Sequence, residues 1–269
     1  MSKTKETIVA SYWNDPNYDP RYVGVYPIGT GKTVEIPYRH HEEWAVLSRR
    51  LPPPPFSLLE LGCGAGRWAF SLAPLVNRYV GLDLSTEQIG VAREHAARNS
   101  WDHLKFIVGD IMDYDPGEET FDCIYLSGVA MYIEDDKLAA LLSRLNAWLK
   151  PGGLLVERDT VFVGSDRHVR NDGRYFAIYR LRDEIIAAFA QAGFAFVEDV
   201  RSYSLLRTRD LWQNPALCEF MQWGVTHLPA AAFALMRGYS DFVSGKTDPY
   251  CHEGDKTYDH RFFFTAPKN

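Results

Sequence analysis

Four cysteines in 269 residues, Cys63, Cys123, Cys218 and Cys251, are too few and too widely spaced for a disulfide scaffold or a zinc site. Reduced thiols of a cytosolic protein are the simplest reading. No stretch of about 18 apolar residues occurs, so no membrane-spanning helix is expected. The first residues, Met1 to Thr7, lack the apolar run of a signal peptide, and a cytoplasmic location follows as the expectation. Positive charge is short as well: 29 Lys+Arg stand against 35 Asp+Glu, a net charge of -6. That balance argues against a surface that grips nucleic acid without sequence preference. Two phosphate-binding motifs fail at a single position each. The dinucleotide pattern G-x-G-x-x-G needs glycine at 67, where Arg67 stands, and the P-loop ending in Gly31-Lys32-Thr33 needs glycine at 26, where Tyr26 stands. His40 and His41 beside Glu42 and Glu43 lack the H-E-x-x-H spacing, and no metal site is expected.

What is present is one organising stretch, Leu58 to Trp68. Leu58, Leu59 and Leu61 suit a strand buried on both faces. Gly62, Gly64 and Gly66 then allow a sharp turn that brings backbone close to a ligand. A helix opening near Arg67 would aim free N–H groups at the same place. Downstream, Arg78 to Asp83 reads as a second strand ending on an acid, 21 residues beyond Gly62. An acid at that distance can accept hydrogen bonds from both hydroxyls of a ribose. Ser85 and Gln88 form a capping-box pair for a helix reaching about Asn99. Leu104 to Gly109 and Phe121 to Ser127 read as third and fourth strands, and an amphipathic helix from Asp135 to Leu149 stops at Lys150-Pro151-Gly152-Gly153. Leu154 to Asp159 follows as a fifth strand. Alternation of strand and helix from 57 to 192 gives a mostly parallel sheet with helices on both faces, whose ligands collect at the carboxyl ends of the strands.

The pattern Glu60-x-Gly62-x-Gly64-x-Gly66 resembles the first motif of the class I S-adenosylmethionine (SAM) methyltransferases, and the Lys150-Pro151-Gly152-Gly153 ending is similar to a second feature of that family. The resemblance implies a doubly wound, seven-stranded, mostly parallel α/β sheet of the Rossmann-like methyltransferase kind. It implies SAM as cofactor, held by Glu60, Gly62, Cys63, Gly64, Asp83, Leu84, Asp110, Ile111 and Ser127. Asp110 would accept from the adenine amino group, the next backbone N–H would contact the ring, and Ser127 to Tyr132 would lie beside the sulfonium. Arg39, opening a helix expected over Tyr38 to Leu51, is similar to an arginine of glycine and sarcosine N-methyltransferases that pairs with the cofactor's carboxylate.

The implied organisation is an N-terminal cover with a helix over 1–51, a SAM-binding core over 52–203, a helical insertion over 204–258 and a last core strand over 259–269. The insertion, apolar and helical from Pro215 to Phe242, would cover the substrate or form an oligomer contact such as a homodimer. Tyr12, Trp13, Tyr22, Tyr26 and Tyr132 could wall the cation. Methyl transfer to an amine or hydroxyl calls for a general base. Asp159 at the end of the fifth strand, His168 in the following loop and Tyr132 are the candidates, with Glu157 behind them. That loop, Val161 to Arg180, also holds Arg167, Arg170, Arg174 and Arg180, which suggests a polar or acidic acceptor.

The expected function is methylation of a nitrogen or oxygen on a small polar metabolite. Alternatives are a peptide amino terminus as acceptor and a SAM-binding sensor without catalysis. The sequence lacks the Asn- or Asp-Pro-Pro-aromatic run of base-amine methyltransferases, having Ser127-Gly128-Val129-Ala130 in that place.

Overall fold

The computed structural model describes residues 4–15, 35–202, 215–243, 251–253 and 255–268. Tyr18, Tyr22, Tyr26, the Gly29 to Thr33 stretch and Tyr203 lie outside the described residues.

Five strands run parallel: β1 (Phe56–Leu61), β2 (Val76–Asp83), β3 (Leu104–Val108), β4 (Phe121–Ser127) and β5 (Leu149–Phe162). Two more complete the main sheet, β8 (Phe194–Arg201) and β10 (Lys256–Pro267), in the order β3-β2-β1-β4-β5-β10-β8. β10 is antiparallel to both of its neighbours, and the short β9 (Cys251–Glu253) pairs with its start. The layout is the seven-stranded, mostly parallel sheet expected. β10 takes in residues assigned above to the insertion.

Alternation along the central strands sorts the core into two layers. Leu59, Leu61, Val80, Leu82, Ile124 and Leu126 face one side, where α5 (Asp135–Trp148) and α6 (Arg182–Gln191) cover them. Leu58, Tyr79, Cys123, Tyr125 and Val156 face the other, under α2 (Glu35–Leu47), α3 (Arg67–Leu72) and α4 (Thr86–Arg98). Both Cys63 and Cys123 are buried and free. On α5, Leu138, Leu141, Leu142 and Leu145 recur at helical spacing and are all buried. Each such leucine contributes about 1.5–3 kcal/mol relative to leaving it exposed. Ser85 caps α4 by accepting from the Gln88 amide, while the Ser85 amide donates to Asp83 rather than to the Gln88 side chain.

Three expectations change. The Lys150 to Gly153 stop does not separate helix from strand: α5 ends at Trp148 and β5 begins at once, with Leu149 paired to Phe121. The loop expected over Val161 to Arg180 is instead an antiparallel hairpin, β6 (His168–Asn171) and β7 (Phe176–Tyr179), because Phe176 to Tyr179 bury all four side chains against α1 (Lys5–Trp13) and the turn after β4. The apolar run from Pro215 is two helices, α7 (Pro215–His227) and α8 (Pro229–Val243), since Pro229 cannot continue α7 and instead opens α8. No helix among the described residues is long and apolar enough to cross a membrane.

Candidate active site

At the carboxyl ends of β1 to β4 the backbone folds into a cavity of about 1010 Å³. Its floor begins with the glycine turn. The Gly62 and Cys63 amides donate to the Leu82 carbonyl at 2.8 and 3.1 Å, locking the turn to β2. Gly62 sits at φ +82°, and a Cβ there would come within 2.2 Å of the Val129 side chain. Gly64, at φ +54°, faces the buried Gln88 carboxamide, whose oxygen would be 2.8 Å from a Cβ. Only glycine suits both places.

Three acids open on this floor. Glu60 is 1% exposed and accepts from the Tyr79 hydroxyl at 2.6 Å. Burial pushes its carboxyl up to about 8, against the hydrogen bonds from Tyr79 and Ser127. Asp83 accepts from the Gly64 and Ser85 amides, both at 2.9 Å, and burial raises it too. Asp110 accepts from the Met112 amide at 2.8 Å. Glu60, Gly62, Cys63, Gly64, Asp83, Leu84, Asp110, Ile111, Ser127 and Arg39, the ten residues assigned above to a cofactor, all line the one cavity.

Beside the glycine turn is a charge cluster that the sequence did not reveal. The Glu43 carboxylate is fully buried among Arg39 at 3.2 Å, Arg67 at 2.6 Å and Arg158 at 3.0 Å. Burial alone would raise Glu43, but the three guanidinium groups outweigh it and hold it well below the usual carboxylate range. One negative charge thus anchors three positive ones, and all three arginines line the cavity. The Arg39 and Glu43 spacing of four was visible in the sequence. Arg67 and Arg158 arrive from other elements.

Of the three general-base candidates, only Tyr132 lines the cavity. It lies on a short 3₁₀ turn, Ala130–Tyr132, which the Arg180 guanidinium pins by donating to the Ala130 and Ile133 carbonyls and to Asp135. Asp159 does not face the cavity. Side chains alternate along β5, so Arg158 and Thr160 line it while Glu157 and Asp159 turn to the opposite face. There burial raises both carboxyls; the charge of Asp159 lifts Glu157 further, while Glu157 and the neighbouring arginines pull Asp159 back down. His168 also stands outside, stacked on Tyr179 at 5.9 Å across the hairpin. Of the four arginines of this region only Arg170 lines the cavity, while Arg167 and Arg180 are spent on Asp135 and Glu184. Residues that sequence reasoning missed, Thr160, Tyr175, Tyr179, Tyr258 and His260, complete the far wall. Among the described residues, no group of His, Cys, Asp and Glu could hold a metal ion.

Residues 58–153 match the family described as a methyltransferase domain. A phosphoethanolamine N-methyltransferase of Arabidopsis thaliana is 36% identical over 103 residues, 38% of this chain and 20% of that protein. An N-terminal Xaa-Pro-Lys N-methyltransferase of Danio rerio is 30% identical over 104 residues, 38% of this chain and 47% of that one. The chain therefore spans about a fifth to under half of the length of these curated relatives. Among solved structures, coclaurine N-methyltransferase bound to N-methylheliamine and SAH superposes with a TM-score of 0.61, at 14% identity, over 99% of this chain and 90% of that one. At that identity the likeness is one of fold.

Proposed function

We propose that this chain, whose residues 58–153 are a methyltransferase domain of the class I SAM-dependent kind, transfers a methyl group from SAM to a nitrogen or oxygen of a small polar molecule. The observation that carries the reading is the convergence of the glycine turn, Glu60, Asp83 and Asp110 on one cavity. The residues fit the cofactor. Gly62 and Gly64 let the turn close tightly on the floor, where a Cβ would strike Val129 or Gln88, and the Gln88 carboxamide oxygen, buried without a hydrogen-bond partner among the described residues, faces Gly64. Asp83 would take the ribose hydroxyls, Asp110 the adenine amino group, and Arg39 the carboxylate. The cofactor supplies an electrophilic methyl carbon on a positive sulfur. The protein's part is alignment, with nucleophile and methyl carbon about 3 Å apart in a space closed to water. Arg39 and Arg158, steadied by Glu43, would set the position of the methionyl end.

The likeness to phosphoethanolamine N-methyltransferases supports a small-molecule acceptor. The likeness to an N-terminal Xaa-Pro-Lys N-methyltransferase supports a second reading, a peptide amino terminus. Calorimetry with SAM and S-adenosylhomocysteine tests the premise, with micromolar-range binding expected; no binding would refute it. Labelled-methyl transfer to metabolite and peptide fractions then separates the readings, and transfer to neither leaves a SAM sensor.

A further inference from the structure

The half of the cavity away from the glycine turn is walled by rings. Tyr12 and Trp13 come from α1, Tyr132 from the turn after β4, Tyr175 and Tyr179 from the β6–β7 hairpin, and Tyr258 from β10. Neighbouring rings meet edge to face: Tyr12 and Trp13 at 5.2 Å and 89°, Trp13 and Tyr132 at 5.5 Å and 81°, Tyr132 and Tyr175 at 5.9 Å and 86°. Tyr12 also meets Tyr175 at 4.9 Å, and Tyr179 meets Tyr258 at 4.9 Å. Such a cluster gives the cavity an aromatic wall, which suits a cation, and the Arg170 guanidinium already lies over the Tyr175 ring at 4.8 Å.

The acids that line the cavity lie elsewhere, and Asp159, whose charge reaches Tyr132, is not part of the lining. Among the described residues, the carboxylates lining the cavity are Glu60, Asp83 and Asp110 on the glycine-turn floor, and Glu6 and Glu134, which pair with Lys137 and Lys5 along α1. No carboxylate of that set stands among the rings. The Tyr132 hydroxyl meets that of Tyr175 at 3.3 Å, and the Tyr175 hydroxyl meets that of Tyr179 at 3.1 Å. Burial pushes all three phenols up, so none is a phenolate at neutral pH. Burial, then Arg158 and Arg39, push the His260 imidazole well down, which leaves it a weak proton acceptor.

We propose that the ring-lined half receives an uncharged amine and holds the alkylammonium it becomes, so that the acceptor atom is an amine nitrogen and not a hydroxyl oxygen. The inference rests on the methyltransferase reading above. The amine lone pair forms the new nitrogen–carbon bond as the sulfur–carbon bond breaks, and the electron pair of that bond stays on sulfur. Positive charge passes from sulfur to nitrogen and remains among ring faces throughout. No proton has to move during this step; an N–H proton leaves to water afterwards, and a tertiary amine has none to lose. A hydroxyl in the same place would have to shed its proton as the oxygen–carbon bond formed, and the rings offer no base to take it.

The test uses the full chain saturated with S-adenosylhomocysteine and two probes of one shape, choline and its uncharged carbon isostere dimethylbutanol, compared by calorimetry. Choline is expected to bind about tenfold more tightly. Tyr175→Leu should remove most of that difference, with its S-adenosylhomocysteine affinity measured alongside to report folding. Equal binding of the two probes, or no binding of choline to a chain that binds S-adenosylhomocysteine, overturns the proposal. Failure to bind S-adenosylhomocysteine overturns the reading beneath it instead. In a transfer assay with matched amines and alcohols, amines should be favoured, with kcat/KM rising with pH until the amine's own pKa is passed; alcohols methylated as fast or faster would also overturn it.

Discussion

The glycine-turn half of the cavity draws mainly on β1, β2 and β3 and the turns after them, within residues 60–112, with Arg39 from α2 and Ser127 from β4 added, whereas the ring-lined half gathers side chains from 5–13, 131–132, 158–179 and 258–260. The first half is polar and acid-bearing, and backbone hydrogen bonds set its shape. Gly62, Cys63 and Gly64 are each held by an acceptor on β2. The second half is aromatic, and packing sets its shape: α1 lies on the hairpin through Ile8 against Phe176 and Ile178. A ligand common to many proteins suits a site made by local backbone geometry, while an acceptor particular to one protein suits a wall assembled from pieces that vary independently.

Glu43 joins the halves, because the arginines it anchors come from both sides of the cavity, and the largest effect is expected there. Glu43→Gln leaves three largely buried guanidinium groups around a neutral side chain, and removing one partner of a buried ion pair costs about 3–5 kcal/mol. A fall in urea midpoint measures it; an unchanged midpoint would mean that the cluster is not coupled to the fold. Next comes Gly62→Ala, which combines a left-handed backbone with a clash against Val129 and should cost about 3 kcal/mol by thermal unfolding. Asp83→Ala should weaken SAM about a hundredfold, two charge-assisted hydrogen bonds being lost. The same substitution should leave choline binding to the ring-lined half within about threefold once the cofactor site is saturated, since distant sites add independently; a parallel loss would erase the distinction between the halves.

The Glu60 carboxyl gives a subtler test. Its folded value of about 8 lies above its unfolded value of 4.5, so the folded state binds the extra proton. Its stabilising effect is full below pH 4.5 and is lost as pH rises through 8. Binding of a positive sulfonium favours the ionised form, so SAM uptake at pH 7 should release a proton. Calorimetry in buffers of different ionisation heat counts it, and Glu60→Gln should abolish the release. The smallest effect is expected from Trp13→Ala, which cuts two edge-to-face contacts, with Tyr12 and Tyr132, each worth about 0.5–1.5 kcal/mol. It should raise the acceptor KM severalfold and leave SAM affinity in place; the reverse pattern would move α1 to the cofactor half.

Much of the cofactor half could be read from residues in order. Gly62, Gly64, Asp83 and Asp110 follow strands whose apolar runs are plain, and a parallel sheet brings strand ends together without further information. The ring-lined half was legible only in fragments, Tyr12, Trp13 and Tyr132. Tyr175 and Tyr179 were hidden because the hairpin carrying them sits among charged residues that read as a solvated loop, and Tyr258 because its strand returns from a long insertion. Asp159 was placed in the site by its position near a strand end and removed from it by the pleat: one residue's shift along β5 reverses the face. His168 failed for a similar reason, its ring stacking on Tyr179 rather than opening on the cavity.

Local sequence alone determined the order of strands and helices from β1 to β5, the left-handed turn and the acids at the strand ends, since these depend on backbone freedom and on apolar periodicity within a few residues. Only the tertiary structure decided which arginines surround Glu43, which face of β5 meets the cavity and which rings close its far wall. Those choices are made by contacts between elements far apart in the chain, such as the 115 residues separating Glu43 from Arg158, and no short-range rule carries information across that distance.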